Sequence, residues 1–208
     1  MSSVICLLYG LFKYLGKHIA MFAILIIAAI GCFMLGHLYD TITLLIRHSI
    51  PSVFNIGMLA KIGGYSFLFS ASYAQMDGLV DDKSRAMLKY RILSLAAPIL
   101  IYATYLFAVF SNINTSEKIM PTVIVIFAGL SSYYNFKHLI IPDIDLGIIA
   151  SIRLYNLFAL LSAIFYTAML TFNICGNFSI SNIFGVLLAT TYPCMVISVE
   201  KGRQKWIL

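Results

Sequence analysis

The sequence predicts an all-α, polytopic transmembrane helical bundle of about six spans, within a range of four to six, with its N-terminus and C-terminus both cytoplasmic. Three observations predict it. Of the 208 residues, 61% are hydrophobic and only 11% charged, where soluble domains carry ~25% charged residues, and the mean hydropathy is +0.94. The apolar residues form long unbroken runs rather than alternating, which favours helices over a barrel in a medium where each backbone N–H and C=O must be satisfied internally. The basic residues fall mostly on alternate sides of those runs, as the positive-inside rule requires. The same composition excludes a disordered chain, a coiled coil and a disulfide-stapled module. The whole of 1–208 reads as a single integral membrane domain.

Residues 1–18 form the first segment. Ser2–Phe12 is apolar but too short to cross, and Lys13, Lys17 and His18 follow it. A secretory signal has the charge first and the apolar stretch second, so an interfacial N-terminal segment leading into a retained span is expected. The first span is Ile19–Leu38. Residues 41–60 are apolar but interrupted by Arg47, His48 and Pro51, the pattern of a helix lying along the outer surface. A weaker second span lies between Val53 and Val80. Ile92–Phe110, Ile119–Phe136, Leu154–Ile174 and Ile180–Val199 complete the set. Between them, 76–91, 137–153 and 200–208 form cytoplasmic loops and a tail, and they collect Lys83, Arg85, Lys89, Arg91, Lys137, Arg153, Lys201, Arg203 and Lys205. The net charge of +6 is then a topology signal and an attraction to anionic headgroups. Basic residues scattered over four short segments make no nucleic-acid footprint.

Chemistry-bearing residues are few. Lys61 is the one basic residue in or beside the membrane, and an ionisable intramembrane residue is by default a functional-site hypothesis. Two registers remain open. A span beginning near Val53 buries Lys61 without a central acid to pair with it, and one running Ile62–Val80 leaves it anchored at the outer headgroups. Asp77 and Asp81 are four residues apart and share a helical face, so two carboxylates could face a divalent ion and a diphosphate. Ala60 and Gly64, and Ser66, Ser70 and Ala74, form two rows of small residues that suit close helix packing, within the bundle or between copies. The four cysteines include no C-x-x-C pair, so no metal or redox framework is expected, and no cofactor motif is found.

Met76–Arg91 together with Tyr134, Lys137, Pro142 and Leu146-Gly147 resembles the UbiA-type intramembrane prenyltransferases, over about a quarter of the chain. That family carries an Asn-Asp-x-x-Asp-x-x-x-Asp motif after its second span and a Tyr-x-x-x-Lys-Arg…Leu-Gly stretch after its fourth. The resemblance implies a lipid-diphosphate substrate held by metal ions on Asp77 and Asp81. The sequence departs from the pattern at Met76, at the Asp77–Asp81 interval and at His138. The family's second aspartate motif is missing from the stretch after the last span.

The expected function is that of a non-catalytic integral membrane protein of a bacterial inner membrane. It is expected to be a homo-oligomeric sensor or anchor that engages a cytoplasmic protein or anionic lipids of the bilayer through Lys83, Arg85, Lys89, Arg91, Lys137 and Arg153. Anti-phage defence, toxin immunity and entry exclusion are roles of this character. The alternatives are a small channel or transporter using Lys61, and a prenyltransferase-like enzyme using Asp77 and Asp81.

Overall fold

The computed structural model describes residues 2–14, 21–48, 55–78, 81–112, 115–142 and 148–206. Among these every regular element is helical. Helix α1 (Ser2–Tyr14) is followed by α2 (Met21–Arg47) and α3 (Ile56–Ser70), which continues directly as a π-helical segment, Ala71–Asp77. A 3₁₀ turn, Arg85–Met87, opens α4 (Leu88–Ser94), and α5 (Ala96–Asn112), α6 (Thr115–Ile140), α7 (Ile148–Ile174) and α8 (Phe178–Trp206) follow.

Among the described residues five stretches are helical, long and apolar enough to cross a membrane: Met21–Arg47, Arg85–Phe110, Lys118–Ile140, Ile152–Ile174 and Phe178–Lys201. They establish an all-α integral membrane bundle. The weak second run of the sequence is α3, whose 15 residues fall short of the ~20 a crossing helix needs. It reaches the far end of the bundle only through its π-helical continuation of 7 residues.

Cross-helix contacts show the direction of each element. Phe33 stacks edge-on with Tyr65, and Gly36 lies against Gly57, so α2 and α3 are an antiparallel hairpin. Tyr102 donates to the Ile126 carbonyl and Tyr105 meets Thr122, which makes α5 and α6 a second. Ser181 donates to Met169, and Phe172 stacks on Phe184, giving α7 and α8 as a third. Helices α3 and α6 run the same way, since Ser72 faces Asn135 and Asp77 faces His138. The core they enclose is aromatic and aliphatic: Phe33, Tyr65, Tyr105, Tyr155, Tyr166 and Tyr192, packed with Ile26, Ile30, Leu68 and Met195. Apolar side chains such as Ile99, Leu100, Phe107 and Phe110 point outwards, as a lipid-facing surface requires.

Three expectations change in detail. Helix α1 packs on α2 and α8, with Cys6 buried and the Tyr9 hydroxyl donating to Glu200 at 2.7 Å. Residues 41–60 are not one surface helix: Thr41–Arg47 prolongs α2, 49–54 lie outside the described residues, and Ile56–Ala60 opens α3. The polar loops are shorter than expected, because Asp77 is still helical, Lys137–Ile140 belongs to α6, and α7 and α8 extend over residues 148–153 and 200–206. In each case the main-chain groups complete intrahelical hydrogen bonds that an interrupted helix would leave open.

Candidate functional site

Helix α3 carries charge near both ends and hydroxyl groups between. At its start Asn55 caps the helix, its side-chain oxygen accepting from the Gly57 N–H at 2.6 Å. The Asn55 amide donates to Asp40 Oδ1 at 3.0 Å. Lys61, in the second turn, donates to Asp40 Oδ2 at 2.5 Å and lies 5.9 Å from the centre of the Tyr166 ring. Its side chain is only 8% exposed and that of Asp40 16%. Close approach of the hairpin allows this. A Cβ at Gly36 would stand 2.7 Å from the Gly57 carbonyl oxygen, and one at Gly57 would run into the Asp40 carboxylate. On the next turns of α2 and α3, His37 and Tyr192 face each other at 3.4 Å and the Tyr65 hydroxyl donates to the Ser162 carbonyl at 3.0 Å.

At the other end, hereafter the basic end, the structure gathers charges from four elements. Asp81 accepts the Arg91 guanidinium on both oxygens, at 2.7 and 2.6 Å, the planar fork that suits a carboxylate best. Lys137 of α6 donates to Asp81 Oδ2 at 2.8 Å and also meets Asp77. His138 Nε2 faces Asp77 Oδ1 at 3.4 Å. The Lys83 N–H donates to Asp81 Oδ1 at 2.9 Å, in a turn where Lys83 takes φ 61°, a left-handed conformation that a local Asp hydrogen bond offsets. The guanidinium beside Asp81 holds its carboxyl well below the ordinary carboxylate range, against the opposing effect of burial.

Between the two clusters the π-helical segment places Ser72 against Asn135 at 3.0 Å, and Asn135 donates to the Ser131 carbonyl and hydroxyl. The Tyr155 hydroxyl lies beside Ser72, outside hydrogen-bonding geometry. Among the described residues, five buried side-chain atoms on α6 and α7 have no protein partner: His138 Nδ1, the Tyr155 hydroxyl, both amide atoms of Asn156 and the Thr171 hydroxyl. Such groups are rare in packed interiors and call for water or a ligand. A π-helical turn inside an α-helix frequently marks a functional site as well.

The expected site residues divide accordingly. Lys61 lies inside the bundle, not at its rim, and it has an acidic partner, Asp40, which the sequence reading missed. The signal was available: Asp40 lies near the end of α2 and Lys61 near the start of α3, so a hairpin of these two helices brings them level. Arg91 and Lys137 are spent on Asp81 and Asp77 instead of facing a partner, because a carboxylate in an apolar surround needs a neutralising cation. For the same reason Asp77 and Asp81 are occupied carboxylates, and no cluster of three or more His, Cys, Asp or Glu able to hold a metal exists among the described residues. Lys83, Arg85 and Lys89 are exposed. Arg153, also exposed, donates to the Ile141 carbonyl at 3.2 Å, and the acids Asp143 and Asp145 near it in sequence lie outside the described residues. Of the small residues, Gly64 packs directly on Phe33, where a Cβ would come within 2.6 Å. Ser66 and Ser70 bond their own helix, Ala60 is half-buried and Ala74 is exposed. The chain matches no family model, no curated protein and no solved structure.

Proposed function

We propose that the chain is a small transport protein whose polar path runs along α3 and is closed at each end by ion pairs. One observation supports this above the others. Lys61–Asp40 and the Asp77–Lys137–Asp81–Arg91 network bracket a π-helical turn next to buried, unpartnered polar groups. Intramembrane charges are costly, and where they occur they commonly mark ion or substrate pathways. Among the described residues Asn55 is the one other donor to the Asp40 carboxylate, so the pair can open by one side-chain movement.

The decisive experiment is flux into sealed vesicles containing the purified protein. Ion and solute flux above that of protein-free vesicles, abolished or made ungated by Lys61→Met with the protein still inserted and folded, supports the reading. Wild-type vesicles as tight as protein-free ones refute it.

A second reading draws on the exposed basic residues Lys83, Arg85 and Lys89, which suit a cytoplasmic acidic partner or anionic headgroups. In it the protein is an oligomeric membrane anchor or sensor of the kind used in defence or immunity. Charge reversal at those three positions would abolish retention of a soluble partner and leave vesicle flux unchanged. The diphosphate-enzyme reading has the weakest support, because both of its carboxylates are already engaged by cations.

A further inference from the structure

His138 is wholly buried at the basic end, with one ring nitrogen on a carboxylate and the other on nothing. The carboxylate is Asp77, whose side chain is 18% exposed, so the pair joins a partly exposed group at the basic end to a ring nitrogen sealed in the bundle. The polar groups further in are neutral: Ser131, Asn135 and Ser72, then the Tyr155 hydroxyl beside them, with Asn156 the next residue of α7. A neutral stretch of hydroxyls and amides offers no counter-charge to a resident metal ion or anion. It does offer hydrogen-bonding sites to a short file of water, which the unpartnered Tyr155 and Asn156 atoms call for.

We propose that the species moved through the bundle is the proton, and that His138 relays it between the internal water and Asp77. The proposal rests on the transport reading above and names its substrate. The steps balance without any co-reactant. A proton from the internal file binds Nδ1, giving an imidazolium beside the Asp77 carboxylate. The Nε2 proton passes to Asp77 Oδ1, leaving a neutral ring and a carboxylic acid. Asp77 then releases the proton to water at the basic end, which the positive-inside rule makes cytoplasmic. The ring then turns so that its Nδ1–H faces Asp77 and its bare Nε2 faces the internal water, and the next proton crosses in the same way. Imidazole suits this task because its two nitrogens exchange donor and acceptor roles. The charged groups around the ring set its working range: Asp77 on the π-helical segment, Asp81 in the following loop, Arg91 on α4, and Lys137 with Tyr134 on its own helix. Lys137 has a place in the cycle, since it stabilises the Asp77 carboxylate and so favours release.

The test is a vesicle assay with an entrapped pH-sensitive dye and a potassium diffusion potential, negative inside. Wild-type protein should acidify the interior at least tenfold faster than protein-free vesicles. His138→Gln should return the rate to the protein-free level with an unchanged melting temperature, and imidazole in the bath should restore part of it. Asp77→Asn should move the pH of half-maximal flux, which loss of a merely structural contact would not do. If His138→Gln fails to insert, the Asp77→Asn pH profile carries the test alone. His138→Gln conducting like wild type, or an unmoved profile in Asp77→Asn, overturns the relay. Potassium or uncharged-solute flux without proton flux overturns the proton and leaves transport standing, whereas no flux of any kind removes both.

Discussion

The two charged clusters at the ends of α3 are built differently. Near its start a single lysine meets a single aspartate across one helix hairpin, with Asn55 as the only other donor to that carboxylate among the described residues. At the basic end two aspartates share Lys137, and Asp81 also holds the Arg91 fork and a main-chain N–H. A carboxylate with several donors keeps its charge neutralised when one of them moves, while one with a single cation does not. The contrast assigns rigidity to the basic end and mobility to the Asp40–Lys61 pair. It also shows that the same residue types serve as brace or latch according to how many helices contribute.

The largest expected effect comes from removing the shared cation. Lys137→Met takes one cation from two carboxylates at once, leaving Asp81 on Arg91 and Asp77 with His138, and breaking a buried pair from one side costs ~3–5 kcal/mol. A large drop in the melting temperature in detergent should follow. A variant as stable as wild type would show that the network is not a brace. Lys61→Met should cost less, about 1–3 kcal/mol for an Asp40 that keeps the Asn55 amide, and should change flux more than stability. Equal destabilisation by the two would erase the contrast.

Gly57→Ala tests the close approach beneath the latch. Its Cβ would strike the Asp40 carboxylate and the Gly36 carbonyl, forcing α2 from α3 at the ~1–3 kcal/mol typical of overpacking. The lysine–aspartate pair should loosen while the basic end keeps its stability, and a cysteine crosslink across each end would report which one moved.

Acidification sharpens the comparison further. Asp81 is held below the ordinary carboxylate value of 3.8, so its contribution is fully present above that value and is lost only as pH falls through the lower folded-state value. Melting at pH 7 and pH 5 should therefore be alike as far as Asp81 is concerned, with its contribution falling away below about 3.8. Arg91→Gln should lower stability at neutral pH and shrink the further loss below 3.8, because the folded-state value of Asp81 moves back toward its unfolded one. The smallest effect belongs to Lys83, Arg85 and Lys89: exchanging all three for glutamate should alter stability by no more than about 0.5 kcal/mol, with binding of a partner as the readout.

Legibility in the sequence differs along the chain. The five strong apolar runs declared their helices because length and hydropathy are local properties that lipid enforces directly. Helix α3 was the obscure one. Its lysine, its glycines and its serines weaken it as a lipid-facing helix, and only burial against α2, α6 and α7 explains them. The small-residue row was legible as packing, yet which partner it meets was not, and Gly64 turned out to face Phe33 of the same chain. Arg91 and Lys137 looked like a basic surface because sequence displays charge and hides depth.

By itself the sequence determined the apolar solvent and the helical class, since each follows from the transfer energy of residues taken one at a time. Only tertiary structure decided that Asp40 answers Lys61, that Asp77 and Asp81 are already neutralised, and that His138, Tyr155 and Asn156 keep polar atoms unpaired inside the bundle. Those facts depend on which helix faces which and in what register, and neither is a property of any single stretch of chain.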